Sequence, residues 1–132
     1  MLRVACVMGK RVLAVDDEPG IQMLLRMILA ENGLDVLTAS NGEEALDLVR
    51  KSHPDLILLD VVMPKKGGAE VVAELRNSEE TRELPIIIIS ANANLEELSV
   101  APLVQGLMVK PFDVEDLMRK VNDLLQNGGN PG

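Results

Sequence analysis

Tryptophan and tyrosine are absent from this chain, and Phe112 is its one aromatic residue. Stacking platforms for bases or sugars are therefore excluded. A single cysteine, Cys6, permits no internal disulfide and no cysteine-rich zinc centre. A single histidine, His53, excludes a histidine-rich metal cluster. Cations are in deficit: 13 Lys and Arg face 21 Asp and Glu, a formal net charge of −8. That balance argues against direct nucleic-acid binding, which needs an excess of Lys and Arg to neutralise phosphates. Apolar runs fall well short of the ~18 residues that a membrane span requires. The stretch from Met1 to Lys10 is too short in its apolar part for a secretory signal, so a cytoplasmic domain without membrane contact is expected.

What is present is carboxylate, amide, hydroxyl and lysine on an aliphatic framework. At 132 residues, with 47% apolar and 26% charged, the chain has the size and balance of one globular domain. Residues 10–127 read as that domain, 1–9 as an N-terminal extension, and the Gly- and Asn-rich 128–132 as a flexible tail or the start of a linker.

Short aliphatic runs alternate with amphipathic stretches. Strands are expected at Arg11–Asp16, Leu34–Ala39, Asp55–Asp60, Leu84–Ser90 and Leu107–Lys110. Helices are expected over Ile21–Glu31, with Pro19 suiting a first helical position, from a Ser40 or Asn41 cap to Ser52, over Ala69–Asn77, briefly over Leu95–Val100, and from an Asp113 cap to Gln126. On the first helix Leu24, Leu25 and Ile28 should face the core, leaving Met23, Met27 and Ala30 towards solvent. Strands apolar on both faces belong in a parallel sheet covered on both sides, a doubly wound α/β fold. Ligands of such sheets bind outside the carboxyl ends of the strands. The polar residues at those ends are Asp16 and Asp17, Asp60, Ser90 and Lys110.

Three carboxylates brought together repel one another by ~4 kcal/mol per pair at ~4 Å and an effective dielectric of ~20. A divalent cation resolves the conflict, and an all-oxygen donor set suits Mg²⁺ or Mn²⁺. Lys110 can face the same crevice and pair with a carboxylate or a phosphoryl oxygen, while Ser90 adds a hydroxyl donor. Such a crevice can hold a phosphoryl group for in-line attack by Asp60. A Schiff-base role for Lys110 fits poorly, because neighbouring carboxylates raise its pKa. His53, before Pro54 at the other end of the sheet, reads as a turn residue, and Gly67-Gly68 as a helix entry.

Four fragments in order carry a resemblance: Asp16-Asp17-Glu18; Asp60-Val61-Val62-Met63-Pro64 with Gly68; Ser90-Ala91; and Lys110-Pro111-Phe112. The chain resembles the receiver domains of two-component response regulators, the CheY-like superfamily, over residues 10–127. The resemblance implies a flavodoxin-like five-stranded parallel sheet of order 2-1-3-4-5. It implies that Asp60 accepts a phosphoryl group from a phosphohistidine donor. Asp17, Asp60 and the Val62 backbone carbonyl would hold Mg²⁺ (Mn²⁺ as a substitute), and Asp16 would act through a bound water. Lys110 and Ser90 would bond phosphoryl oxygens, and the Lys110–Pro111 peptide would be cis. A histidine kinase or histidine phosphotransfer protein would dock on the first helix. The domain would be a monomer or a weak phosphorylation-dependent dimer, catalysing only its own phosphorylation and dephosphorylation.

Two departures affect output. Leu107 stands where the family often has an aromatic switch, and the Ser90-to-Lys110 segment is shorter than usual. A receiver-like interaction module without phosphorylation is the alternative. A metal-dependent phosphohydrolase with an aspartyl nucleophile is a third reading, weakened by Val62 where such enzymes place a second acid.

Overall fold

The computed structural model describes residues 9–60, 67–90 and 100–127. Five parallel strands form one sheet: β1 Arg11–Val15, β2 Asp35–Ala39, β3 Leu56–Leu59, β4 Ile86–Ser90 and β5 Gly106–Val109. Their order is β2-β1-β3-β4-β5, as the resemblance implies. Four α-helices lie among the described residues: α1 Pro19–Glu31, α2 Gly42–Ser52, α3 Gly68–Asn77 and α4 Val114–Asn127. Of the short helix expected at Leu95–Val100, only Val100 is described. A 3-10 turn, Ala101–Leu103, follows it with Pro102 inside.

The strands are continuous aliphatic runs because both faces are covered. Val12, Ala14, Leu56, Leu58, Ile87 and Ile89 pack with Leu25 and Leu29 of α1 and Leu117, Val121 and Leu125 of α4. The alternate residues Leu13, Val15, Ile57, Leu59, Ile86 and Ile88 pack with Ala45, Leu46 and Val49 of α2 and Val71, Val72 and Leu75 of α3. Each fully buried Leu or Ile contributes about 1.5–3 kcal/mol by leaving water, so two such layers fix the register of every strand. Shifting a central strand by one residue would exchange the two sets.

Local signals set the helix ends. Pro19 opens α1, where a missing N–H costs nothing. Asn41 caps α2, its Oδ1 accepting from Glu44 N at 2.9 Å, while Glu44 Oε1 accepts from Ser40 N at 2.6 Å. His53 ends α2 in the left-handed region at φ 49°, away from the acids. Asp113 Oδ1 accepts from Glu115 N at the start of α4. On α1 one expectation is corrected: Leu24 is 43% exposed, and Leu29 takes its place in the core beside Leu25 and Ile28.

Candidate functional site

Each polar strand end is held by the sheet's own hydrogen bonds, which run one residue past the strands. Asp16 N donates to Ala39 O at 3.1 Å, Asp60 N to Val15 O at 3.0 Å, and Lys110 N to Ser90 O at 2.6 Å. Val15 and Leu59 are register partners on adjacent strands, so Asp16 and Asp60 emerge side by side. Adjacent parallel strands lie ~4.8 Å apart, which brings their carboxylates together by construction.

Asp17 joins them from the turn before α1. One carboxylate oxygen from each of Asp16, Asp17 and Asp60 lies within 4.8 Å of the other two. Asp16 and Asp60 are buried and Asp17 is exposed. Octahedral Mg²⁺ with ~2.1 Å bonds accepts oxygens up to ~4.2 Å apart, so these donors fit such an ion after small side-chain rotations. With hard oxygen donors and neither sulfur nor imidazole among them, the set suits Mg²⁺. Val62, whose carbonyl the resemblance adds to the set, lies outside the described residues.

Lys110 supplies the crevice's cation. Its Nζ donates to Asp16 Oδ2 at 2.8 Å and lies 3.6 Å from Asp60 Oδ2 and 3.8 Å from Glu18 Oε1. Burial works to lower its pKa. The hydrogen bond to Asp16 and the charges of Asp60, Asp16 and Glu18 outweigh that effect, and the pKa stands raised. A raised pKa makes the amine a permanent cation at neutral pH and a poor Schiff-base nucleophile. Ser90 is buried at the end of β4, and the Lys110–Pro111 bond is cis.

The structure therefore brings together Asp16, Asp17, Asp60, Ser90 and Lys110 at one edge of the sheet, as the sequence leads one to expect. Two further residues complete the neighbourhood: Glu18, part of the Asp16-Asp17-Glu18 fragment, and Gln22, which has no signature in the sequence. Glu18 contributes its backbone N–H to Asp16 Oδ1 at 2.9 Å and its carboxylate to the field around Lys110. Gln22 reaches from α1 to the Asp16 carbonyl at 2.6 Å. A cleft of about 270 Å³ between the C-terminal ends of α2 and α3, lined by Val49, His53, Leu75 and Thr81, contains none of the site residues.

A doubly wound parallel sheet with acids, a hydroxyl and a lysine at its carboxyl edge defines a class of small phosphoryl-handling α/β domains. Residues 12–122 match the response regulator receiver domain family, and the chain belongs to it. It is 39% identical over 119 residues to the response regulator MprA of Mycobacterium leprae, covering 88% of this chain and 51% of that protein. It is 38% identical over 129 residues to the probable transcriptional regulator ycf27 of Cyanophora paradoxa, covering 92% of this chain and 51% of that protein. The chain thus spans about half the length of these relatives. Among solved structures it is similar to the response regulator protein TrrA of Thermotoga maritima in complex with Mg²⁺ and BeF, at 39% identity and a TM-score of 0.78. That alignment covers 87% of this chain and 98% of the other.

Proposed function

We propose that this chain is a phosphoryl-accepting receiver and that Asp60 is the acceptor. The observation that carries the reading is the approach of Lys110 Nζ to both Asp16 and Asp60, beside three mutually close carboxylates. An Asp60 oxygen attacks the phosphorus of a phosphohistidine. The new P–O bond forms as the P–N bond breaks, and the imidazole leaves on the donor. Lys110, 3.6 Å from Asp60 already, turns its ammonium to an equatorial phosphoryl oxygen, which stabilises charge there. Ser90, one strand over from Asp60, donates its hydroxyl to another oxygen and so couples the modification to the β4 end.

Mg²⁺, held by Asp17, Asp60 and the Val62 carbonyl and by Asp16 through water, would supply further neutralisation of the phosphoryl oxygens; Mn²⁺ has the same ligand preference. The acidic trio and the Mg²⁺ complex of the TrrA relative support this assignment. The donor is a histidine kinase or phosphotransfer protein docking on α1. The working unit is residues 10–127, cytoplasmic, without direct nucleic-acid or membrane binding. It is a monomer or a weak dimer formed on phosphorylation. No helix among the described residues is long and apolar enough to cross a membrane.

Incubation with acetyl phosphate and Mg²⁺, followed by intact-mass measurement, tests the reading. One phosphoryl group should add to the wild type and none to Asp60→Asn. An unmodified wild type, or an adduct that survives Asp60→Asn, would overturn it.

A further inference from the structure

Gln22 stands on the first turn of α1 with its side chain directed back under the acidic turn. Its Nε2 lies 2.6 Å from the Asp16 carbonyl, 3.1 Å from Ser40 Oγ and 3.2 Å from the Ala39 carbonyl. One amide thus ties together the ends of β1 and β2 and the start of α1. With it, every hydrogen-bonding group of Asp16 is engaged. The N–H goes to Ala39 O, the carbonyl receives Gln22, Oδ1 receives Glu18 N and Oδ2 receives Lys110 Nζ.

The Asp16 carbonyl belongs to the peptide unit that carries Asp17. That unit is planar, so fixing its oxygen fixes the Asp17 N–H and the direction in which the chain leaves towards the Asp17 Cα. Asp17 is exposed and makes no hydrogen bond or ion pair through its own side chain among those described. Its place beside Asp16 and Asp60 therefore rests on the backbone beneath it.

We infer that Gln22 is a positioning residue for cation binding, holding the Asp16–Asp17 peptide so that the Asp17 carboxylate is presented ready-aimed. The inference rests on the reading of Asp17 and Asp60 as Mg²⁺ ligands. Partners that orient ligands in this way change metal affinity by about 10–100-fold when removed. Loss of Gln22 should act at the low end, because it orients the peptide and not the carboxylate.

The test is Mg²⁺ binding by calorimetric titration, without any phosphodonor. Gln22→Met keeps the length and removes the donor; it should weaken Mg²⁺ about tenfold. Asn41→Ala, which removes the α2 cap and so destabilises the fold, controls for destabilisation and should leave the affinity unchanged. Asp17→Asn isolates the underlying reading. If Asp17→Asn weakens Mg²⁺ and Gln22→Met does not, the positioning role is overturned while the ligand assignment stands. Equal weakening by Gln22→Met and Asn41→Ala also overturns it, since stability alone would then explain the change. If Asp17→Asn leaves Mg²⁺ binding intact, the ligand assignment fails and the inference falls with it.

Discussion

Lys110 Nζ sits 2.8 Å from Asp16 Oδ2, although β5 and β1 are separated in the sheet by β3 and β4. The two side chains meet over the carboxyl edge of the intervening strands, with Asp60 of the β3 end 3.6 Å from the same Nζ. Both partners are largely buried, at 15% and 2% side-chain exposure. Removing one member of such a pair leaves an uncompensated charge in a poorly solvated site. Lys110→Met should therefore destabilise the domain by about 3 kcal/mol in magnesium-free buffer, measured by urea unfolding. Added Mg²⁺ should raise the variant's stability more than the wild type's, because the carboxylates regain a cation.

The same pair sets a pH dependence. The pKa of Lys110 is raised in the folded chain above the unfolded value near ~10.4. In the window between the two values the folded state holds more protons than the unfolded one, so stability falls as pH rises. The contribution is complete below the unfolded pKa and is lost through the folded pKa. The stability gap between wild type and Lys110→Met should be constant from about pH 7 to about pH 9 and narrow above ~10.4. A gap that widens with alkaline pH would contradict the charge assignment.

Arg76 joins three segments at the opposite end of the sheet. Nε donates to Leu103 O at 2.8 Å, Nη1 to the carbonyls of Arg82 and Leu84 at 2.9 Å each and of Thr81 at 3.4 Å, and Nη2 to Gln105 Oε1 at 3.1 Å. Gln105 Oε1 also accepts from Ile86 N at 2.8 Å, so the guanidinium links the end of α3 to the entries of β4 and β5. Burial lowers its pKa but leaves it charged at neutral pH. Arg76→Ala should cost about 2–4 kcal/mol in urea unfolding, and Arg76→Lys should recover little of it. A single ammonium cannot serve carbonyls spread around a planar fork.

These two lysine and arginine sites differ in how far the sequence reveals them. Asp16, Asp60, Ser90 and Lys110 each terminate an aliphatic run, and parallel strands put all such ends on one edge. Their convergence is therefore a consequence of the run lengths. Arg76 and Gln22 bind backbone carbonyls, which every residue supplies, so no partner residue type marks them in advance. Leu24 shows a third case. Around α1, at 100° per residue, the buried arc is centred near Leu25, with Ile28 and Leu29 on either side. Leu24 lies about 100° from that centre and only about 60° from Met27. Its spacing of four from Ile28 fits a core stripe, but the arc the sheet covers is too narrow to include it.

The exposure of Leu24 enlarges the apolar surface of α1. Met23 is 64% exposed and Met27 55%, with Ala30 exposed one turn further on. On the helix wheel Leu24 borders Met27, so the residues form one continuous patch facing away from the sheet. Flexible methionines suit a surface that must adapt to a partner helix, and α1 begins directly after Asp17 and Glu18. The proposed donor helix, docked on this patch, would hold its phosphohistidine near the acidic edge. Met23→Glu with Met27→Glu should slow phosphoryl transfer from a histidine-kinase donor about tenfold, the scale of one interface anchor worth ~1.4 kcal/mol. Labelling by acetyl phosphate should be unchanged, because that donor needs no docking surface. The paired Met→Gln variant, polar but uncharged, should slow transfer less than the Glu pair yet still measurably, separating lost apolar contact from added repulsion. If the Glu pair slows both donors equally, the patch acts through the site or the fold and not through docking.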